Sequence, residues 1–329
     1  KSDLKERNMK ITIEKEDLEN FSRLDKFLSE KLTDQSRSVI KQLFESGEIT
    51  SDNHKLTLKK MPAEGVVINI NIPEAVDTEL KAENIPLDIL FEDEHLLIIN
   101  KPAGMVVHPA PGNYTGTLVN AVLFHCDDLK GIGGEKRPGI VHRLDKGTTG
   151  VMAVAKSAKA HEGMSNLFAT HNIDRIYETI VPAKAFPLTG RIESTIGRHP
   201  TNRLKQAINV KAGKHAVTHF RKLETYGPFH HIECQLETGR THQIRVHLSV
   251  VERTPILFDS TYGNPNQDIL RLQKEIKTDN KFEYEFPLLH AKTLGFVHPI
   301  TKEKLHFNAP RPKFFQELLD QLQAIKSEE

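Results

Sequence analysis

The sequence lacks most of the features that mark secreted, zinc-bound or membrane-spanning proteins. Its 329 residues include no tryptophan and only two cysteines, Cys126 and Cys234. These cysteines show no C-x-x-C or C-x-x-H spacing, which argues against a disulfide framework and against a structural zinc site. Apolar runs such as residues 96–99 are far too short to cross a bilayer, and the opening residues, KSDLKERNMK, contain no apolar signal segment. We therefore expect a cytoplasmic protein without a membrane partner.

A strong charge of either sign is also missing. Lysine and arginine number 45, aspartate and glutamate number 44, and the formal net charge is +1. Because the whole chain is not a polycation, any surface that binds nucleic acid must arise from local segregation of charge. The apolar fraction of 38% and the charged fraction of 27% are ordinary for a globular protein. The length predicts about two domains.

The hydrophobic pattern divides the chain into a small module and a larger domain. Residues 1–20 are polar and are predicted to form a frayed or extended lead-in. Two short amphipathic helices and a few alternating strands are predicted for residues 21–73, including a strand around Leu56 and Leu58. The polar stretch 74–84, EAVDTELKAEN, is typical of a linker. The larger domain is predicted to occupy residues 85–329.

The larger domain has many strand-like runs and few helices. One of these runs, at residues 105–107, follows a Pro-Ala-Gly turn. Residues 264–287 are polar and weakly patterned, and are predicted to form a long surface insertion. The overall pattern predicts an α+β fold with a mixed but mostly antiparallel sheet.

One loop carries the strongest local signal for chemistry. Residues 138–150 read PGIVHRLDKGTTG and lie between two strand-like runs. Asp145 stands between Arg143 and Lys146, and nearby positive charge favours an ionised carboxylate. Such a carboxylate can act as a nucleophile or stabilise a cationic sugar centre. From this pattern alone, an ordinary surface ion pair explains Asp145 equally well.

A second signal is a basic segment, residues 194–222, which contains no aspartate or glutamate. Its seven cationic residues are Arg198, Arg203, Lys205, Lys211, Lys214, Arg221 and Lys222. In a chain of balanced charge this segregation favours contact with a polyanion, whose binding would weaken with added salt. A cationic strand edge that discourages aggregation is the simpler alternative.

The stretch 237–248, ETGRTHQIRVHL, has the features of a turn into a helix. Gly239 and Thr241 suit a tight turn before a helix N-terminus, which is a natural site for an anion. His242 and His247 also raise the possibility of a metal site. Their spacing of five is not the i, i+4 spacing of a helical zinc pair, and no glutamate lies between them, so we expect no metal here.

These motifs together resemble the RluA-type family of RNA pseudouridine synthases, and within it the branch that acts on large-subunit ribosomal RNA. The resemblance spans about residues 85–312 and rests on seven stretches in order: PGIVHRLDKGTTGVMAVAKS, DRIYETIV, GRHPTNR, GKHAVTHFR, LETGRTHQIRVHL, DSTYG and LLHAKTLGFVHP. The loop HRLD followed by RTHQIRVH is the most specific combination. The resemblance implies the pseudouridine synthase fold and an isomerase that needs neither metal nor cofactor.

The resemblance also assigns roles to individual residues. Asp145 matches the catalytic aspartate, which attacks C1′ of the ribose or stabilises the sugar while a C2′ proton leaves. Arg245 matches its basic partner, and Ile244 would pack on the base. Tyr177 would stack on the flipped uracil and is a candidate to handle the C2′ proton. Arg143 would fill the space that the flipped nucleotide leaves. The expected partner is large-subunit ribosomal RNA at stem-loop uridines. Pre-ribosomal particles are a further expected partner, and the enzyme is expected to be a monomer.

A second resemblance concerns the small module. The stretches RLDKFLSEKL and SRSVIKQLFESGEI resemble an S4-type RNA-binding module, with Arg37 and Lys41 at characteristic places. Such modules dock on structured RNA with their helical face. The resemblance implies that Arg37 and Lys41 contact RNA, as Arg198, Arg203, Lys205 and Lys214 would in the larger domain.

Two departures from the family pattern motivate an alternative function. Gly147 stands where an acidic residue is usual, and we expect it to loosen the loop beside Asp145. Phe258 stands where a glycine is usual, which puts in doubt the shape of the turn that leads to Asp259. An inert RNA-binding factor for ribosome assembly is therefore an alternative. A metallohydrolase, suggested only by the seventeen histidines, is a third hypothesis.

Overall fold

The chain folds into two compact units, Lys1–Glu79 and Leu80–Glu329. The computed structural model describes residues 7–32, 37–72, 80–109, 113–126, 129, 132–133, 138–202, 204–278, 282 and 284–328. No helix within these ranges is both long and apolar enough to span a membrane. We call the two parts the N-terminal unit and the C-terminal unit.

The N-terminal unit packs three helices on a three-stranded antiparallel sheet of order β1-β3-β2. Its elements are β1 (Arg7–Thr12), α1 (Lys15–Asn20), α2 (Leu24–Lys31), α3 (Arg37–Glu45), β2 (Ile49–Thr50) and β3 (Val67–Ile72). Alternation along β3 turns Ile68 and Ile70 into the core, where they meet Phe27 and Leu28 of α2. Each of these four side chains is at most 1% exposed.

The structure corrects two predictions for the N-terminal unit. The lead-in expected at residues 1–20, frayed or extended, is not frayed over residues 7–20, because β1 pairs with β3 along its whole length and Met9 and Ile11 pack on the core, while residues 1–6 lie outside the described residues. The predicted strand around Leu56 and Leu58 is absent from this described stretch. These two leucines pack on the core from a loop, and β2 takes the second edge of β3 instead.

The C-terminal unit is built on a ten-stranded sheet, which confirms the predicted α+β fold. The strands are β4 (Ile89–Glu92), β5 (Leu96–Lys101), β6 (Thr149–Ala155), β7 (Asp174–Pro182), β8 (Thr189–Arg198), β9 (Gln206–Ile208), β10 (Lys214–Tyr226), β11 (Phe229–Leu236), β12 (Leu289–Val297) and β13 (Lys304–Asn308). Their order is β4-β5-β6-β12-β7-β11-β10-β8-β9, and β13 pairs with β12. Every pairing between these strands is antiparallel except that of β6 with β12.

The helices of this unit include one element that sequence analysis missed. They are α4 (Leu118–His125), α5 (Ala158–Ala169), α6 (Gln243–Val246), which continues as a π-helix (His247–Val251), α7 (Pro265–Ile276) and α8 (Lys313–Glu328). Helix α7 lies in the stretch predicted to be a surface insertion. Asn264 caps it by accepting a hydrogen bond from the Gln267 N–H, and Leu272 is fully buried. The strand predicted at residues 105–107 is absent there, because this described stretch forms bends between β5 and α4.

The topology places the Asp145 loop, residues 141–148, directly before β6. The first residues of β6 pair in parallel with β12, with Thr149 opposite His290 and Gly150 opposite Ala291. A Cβ on Gly150 would lie 2.1 Å from the Ala291 carbonyl oxygen, and its φ is +111°. Only glycine permits this close approach, which brings the Asp145 loop against the middle of the sheet.

Candidate active site

The C-terminal unit contains a cavity of about 320 Å³ beside the Asp145 loop. Its lining includes five residues singled out from the sequence: Arg143, Asp145, Tyr177, Ile244 and Arg245. They come from the Asp145 loop, β7 and α6, which are far apart in the chain. Ile244 and Tyr177 are buried, whereas Arg143 is exposed at the rim. The fold therefore assembles residues of the three separate motifs around one space.

Asp145 is held on one side by Arg245. The Arg245 Nη1 donates to Asp145 Oδ2 at 3.3 Å, while its Nε and Nη2 donate to Asp259 Oδ2 and Oδ1 at 2.7 and 2.9 Å. Asp259 is fully buried, so this paired bond fixes the plane of the guanidinium. Burial lowers the pKa of Arg245, but the hydrogen bonds that it donates to Asp259 raise this pKa by more, so the net shift is upward. In the part of the chain that is described, no hydrogen bond reaches Asp145 Oδ1.

A buried lysine anchors the Asp145 loop from behind. Lys101 ends β5 and is fully buried. Its ammonium donates to the carbonyl oxygens of Pro102, Met105 and Lys146 at 2.8, 2.9 and 3.3 Å. Burial lowers the pKa of Lys101 to about 7, against the opposing attraction of Asp145. Lys101 was not selected from the sequence, although a cation at the end of a strand, two positions after the apolar run 96–99, was the available signal.

A neutral histidine fixes the start of the same loop. The His142 Nε2 accepts a hydrogen bond from the Ala153 N–H at 2.9 Å, and its ring stacks on Phe168 at 4.4 Å between centroids. Burial lowers the pKa of His142 to about 3, so the ring stays neutral and keeps Nε2 as an acceptor. His142 thus ties the loop to β6 and α5, a role that sequence analysis did not assign.

Gly147 does not loosen the loop, contrary to the expectation from the sequence. It is buried, and a Cβ there would lie 2.9 Å from the Cβ of Phe286 and 3.0 Å from Pro287. An acidic side chain could not enter this contact without moving the chain. The neighbouring Thr148 N–H also donates to the Asp145 carbonyl oxygen at 3.0 Å, so the loop is closed by a local turn.

Phe258 preserves the turn that a glycine would allow. Its φ is 61°, in the left-handed region that favours glycine, and its side chain is fully buried. Its N–H donates to Asp268 Oδ2 at 3.0 Å, and the next residue, Asp259, keeps both bonds to Arg245. The departure from the family pattern therefore leaves the support of Arg245 intact.

Tyr177 and Arg175 face the cavity from the same side of β7. Burial raises the pKa of Tyr177 to about 12, so its phenol is neutral at physiological pH. The Arg175 Nη2 donates to the Glu237 carbonyl oxygen at 2.6 Å, and its guanidinium lies over the Phe168 ring. Its Nε has no partner among the described residues although it is buried. Arg175 is a cavity-lining cation that was not selected from the sequence.

The two histidines of the helical stretch do not form a metal pair. The His247 Nε2 lies 2.9 Å from the Ser194 hydroxyl and its Nδ1 lies 2.9 Å from the Thr218 hydroxyl, so both nitrogens have protein partners. Burial lowers the pKa of His247 to about 4. His242 lines the cavity instead, with Nδ1 3.0 Å from the Tyr262 hydroxyl.

The basic segment forms β8, β9 and β10 at one edge of the sheet. Arg198 and Lys214 are exposed at strand ends, and the Lys205 ammonium lies 5.8 Å from the Tyr262 ring centroid. Arg221 is paired with Glu233 at 2.8 Å, so part of the positive charge is neutralised within the sheet. Arg203 lies outside the described residues.

The predicted contacts of the N-terminal unit lie on α3. Arg37 begins this helix, but its side chain lies outside the described part of the structure. The Lys41 ammonium pairs with Glu45 at 3.3 Å, one turn later on the same helix. Surface pairs of this kind contribute little to stability, so Lys41 can exchange Glu45 for an anionic partner at small cost.

Known proteins are similar to this chain in sequence and in fold. The family described as RNA pseudouridylate synthase matches residues 95–250. An uncharacterized RNA pseudouridine synthase of Synechocystis sp. is 44% identical over 304 residues, which covers 90% of this chain and 88% of the relative. The ribosomal large subunit pseudouridine synthase D of Zymomonas mobilis is 42% identical over 306 residues and covers 91% and 93%, respectively.

Similarity extends to a solved structure. The human RNA pseudouridylate synthase domain containing 4 is 27% identical and matches with a TM-score of 0.56, covering 72% of this chain and 93% of that one. Relatives above 40% identity along nearly the whole chain, together with this shared fold, confirm the resemblance read from the motifs. The chain therefore belongs to the RNA pseudouridine synthase family.

Proposed function

We propose that this enzyme isomerises uridine to pseudouridine in large-subunit ribosomal RNA, with Asp145 as the catalytic residue. The observation that carries the proposal is the contact of Asp145 with Arg245 at the edge of a cavity that also includes Tyr177 and Ile244. The choice of ribosomal RNA is supported by the Zymomonas mobilis relative, whose name states that substrate.

The proposed reaction conserves every atom of the nucleotide. The N1–C1′ bond of uridine breaks, the uracil rotates while it stays bound, and C5 bonds to C1′. C5 loses its proton and N1 gains one. In one route a carboxylate oxygen of Asp145 bonds to C1′ as the N1–C1′ bond breaks, and this ester bond breaks when C5 attacks C1′. In the other route Asp145 stabilises the cationic sugar while a C2′ proton leaves, and a proton returns to C2′ when C5 bonds to C1′. Both routes need an ionised carboxylate with an oxygen available to the sugar, and Oδ1 is that oxygen in this site.

The site supports stacking by Tyr177 more than proton removal. A buried phenol with a pKa of about 12 is almost entirely protonated at neutral pH. As a neutral ring it offers an aromatic face to uracil, and stacking on an aromatic side chain is a common way to hold an extruded base. Ile244 would provide the apolar contact on the base, since it is 3% exposed and lines the same cavity.

Access to the cavity requires that the uridine leave the RNA stack. Extrusion costs a few kcal/mol, and less for a loop nucleotide than for a paired one. Arg143 is exposed at the rim, where it is proposed to occupy the space that the base leaves. Arg198, Arg203, Lys205 and Lys214 are proposed to contact the phosphates. In the N-terminal unit, Arg37 and Lys41 are proposed to do the same in an S4-like manner.

The decisive test is release of tritium from RNA transcribed with uridine labelled at C5. The wild-type enzyme is expected to release tritium from a large-subunit stem-loop, whereas a binding factor without activity would release none. Mapping of pseudouridine in ribosomal RNA from a strain without this protein would then identify the positions. The inert alternative rested on Gly147 and Phe258, and neither residue disturbs the geometry of Asp145 and Arg245.

Three finer features of the proposal concern its setting. We expect a monomer, which sedimentation velocity would test, and action in the cytoplasm, which fractionation would test. We also expect the enzyme to act on pre-ribosomal particles. Cosedimentation of the full chain with particle precursors, compared with mature subunits, would measure this preference.

A further inference from the structure

A second set of contacts approaches Asp145 through His242 and Tyr262. The His242 Nε2 lies 3.8 Å from Asp145 Oδ2, and the His242 Nδ1 lies 3.0 Å from the Tyr262 hydroxyl. That hydroxyl accepts a hydrogen bond from the Gln206 N–H at 2.7 Å, at the start of β9. Hydrogen-bond contacts thus join Gln206, Tyr262 and His242, and the Nε2 of His242 faces the carboxylate at 3.8 Å, just beyond hydrogen-bond distance.

The donors and acceptors of these contacts assign the tautomer of His242. The Tyr262 oxygen already accepts the Gln206 N–H, and its own proton has two candidate acceptors. These are the His242 Nδ1 at 3.0 Å and the Gln206 carbonyl oxygen at 3.5 Å. The shorter contact makes Nδ1 the acceptor, so a neutral His242 carries its proton on Nε2, the atom nearest to Asp145.

Two further observations fit a role in holding the site rather than in building the core. His242 has a φ of 56°, in the left-handed region that a histidine rarely adopts, and such strained residues concentrate at functional sites. Burial lowers the pKa of His242, against the attraction of Asp145, which keeps the ring neutral at physiological pH. The Tyr262 ring also lies 5.3 Å from the Arg245 guanidinium, so the tyrosine contacts both neighbours of the carboxylate.

We propose that His242 and Tyr262 are positioning residues, which hold the catalytic carboxylate through a Tyr262–His242–Asp145 chain anchored on the backbone of β9. The proposal rests on the function proposed for Asp145. Arg245 bonds to Oδ2, and the Nε2–H of His242 faces the same oxygen at 3.8 Å, so both are proposed to favour the orientation that leaves Oδ1 to the ribose. The outer end of the chain is Gln206, next to the proposed phosphate contact Lys205.

The first test separates rate from binding. In single-turnover tritium release, Tyr262→Phe keeps the ring and removes only the hydroxyl, and is expected to lower the rate constant about tenfold with an unchanged dissociation constant for RNA. His242→Leu is expected to lower the same rate constant about a hundredfold. Tyr226→Phe, which removes a hydroxyl on β10 away from the cavity, is the matched control and should keep the wild-type rate.

Two comparisons distinguish positioning through His242 from a general loss of structure. His242→Gln places an amide donor near the position of Nε2 and is expected to recover more of the rate than His242→Asn, whose amide lies near Nδ1. In the His242→Leu background, Tyr262→Phe is expected to cause no further loss, because the hydroxyl acts through the imidazole. Equal losses from Tyr262→Phe in both backgrounds, or a weaker RNA affinity that matches the lost rate, would overturn the proposal.

A measurement without substrate keeps this test independent of the enzymatic assignment. Nitrogen-15 spectra of the full chain with labelled histidine should show His242, identified by its absence in His242→Gln, as the neutral tautomer protonated on Nε2. Tyr262→Phe should shift that signal towards the other tautomer, while Tyr226→Phe should not. An Nδ1-protonated His242 in the wild-type protein would refute the chain even if Asp145 proves catalytic. A wild-type protein that releases no tritium but shows the Nε2 tautomer would refute only the proposed function.

Discussion

Two clusters of carboxylates and cations, one around Glu178 and one around Asp145, lie on opposite faces of β7. They differ in whether both oxygens of the carboxylate accept hydrogen bonds. Tyr177 and Glu178 are neighbours on this strand, so their side chains point to opposite faces of the sheet. On the far face, both Glu178 oxygens accept hydrogen bonds, Oε1 from Lys292 and Arg311 and Oε2 from Arg311 at 2.5 Å. On the cavity face, Asp145 accepts a hydrogen bond from Arg245 at Oδ2, and no described residue bonds to its Oδ1.

The difference separates a carboxylate in a structural cluster from the carboxylate that is proposed to react. Although burial raises the pKa of Glu178, its bonds from His231, Arg311 and Lys292 outweigh that effect and leave the pKa far below its ordinary value. A carboxylate so fully bonded is a poor nucleophile, since each of its oxygens already shares its electrons with a cation. Asp145 has one restraining cation and an oxygen that no described residue bonds, which is the combination that the proposed chemistry on the sugar requires.

The largest expected effect comes from removing the reactive charge. Asp145→Asn should lower pseudouridine formation at least about 10⁴-fold, because the amide can neither attack C1′ nor stabilise a cationic sugar. Its melting temperature and RNA affinity should stay near the wild-type values. Asp174→Asn, an exposed aspartate on β7, is the matched control. An Asp145→Asn enzyme that keeps most of its turnover would remove Asp145 from the mechanism.

Removal of the charge of Glu178, in the structural cluster, should change the stability of the protein. Glu178→Gln should lower the free energy of unfolding by about 3 kcal/mol at pH 7, since it leaves the two cations without a charge partner. A depressed carboxyl pKa gives stability that is present above the ordinary value of 4.5 and is lost as the pH falls through the folded-state value. The difference between variant and wild type should therefore shrink in acid. Urea titrations from pH 7 to pH 3 measure it, and a constant difference would contradict this assignment.

Replacing the cation of the reactive cluster sharpens the comparison. Arg245→Lys keeps the charge but loses the planar fork that bonds Asp259 and Asp145 together. The rate constant should fall about a hundredfold. Arg221→Lys, in an exposed pair with Glu233, is the control and should have no effect on rate. A lysine variant with wild-type turnover would show that simple positive charge suffices.

The smallest effect concerns the carboxyl that supports the turn before Asp259. Burial raises the pKa of Asp268 to about 6. At neutral pH most of this carboxyl is therefore ionised, and its ionisation lowers the stability of the folded state. A raised carboxyl pKa means that stability falls as the pH rises from about 4 to about 6. Asp268→Asn should thus be more stable than the wild type at pH 7 and no different from it near pH 4. A loss of stability at pH 7 would indicate that the hydrogen bond to Phe258 needs the charge.

Local motifs in the sequence were enough to predict much of the site. The HRLD loop, the strand with Tyr177 and the RTHQIRVH helix were each recognisable, because a short contiguous stretch carries the turn residues and the reactive groups. The alternation of Ile68 and Ile70 likewise predicted a strand. These features depend on neighbours within a few residues, which a single sequence displays directly.

The missed features depend on partners that are distant in the chain. Lys101 and Tyr262 act through atoms of Lys146 and His242, and no periodicity links such pairs. Strand β1 is short and polar on one face, so only its pairing with β3 reveals it. Helix α7 was hidden by its polar surface, although the Asn264-Pro265 start was a readable cap. The effect of Gly147 was misjudged because Phe286 is far away in sequence.

The parallel pairing of β6 with β12 has a consequence for when activity can arise. Thr149 and Gly150 find their partners at His290 and Ala291, some 140 positions later in the chain. A ribosome that has made everything up to α7 has therefore not yet supplied the strand that holds the reactive loop in place. Long-range closure of this kind is slow, so activity is expected only after β12 has been synthesised and has paired with β6.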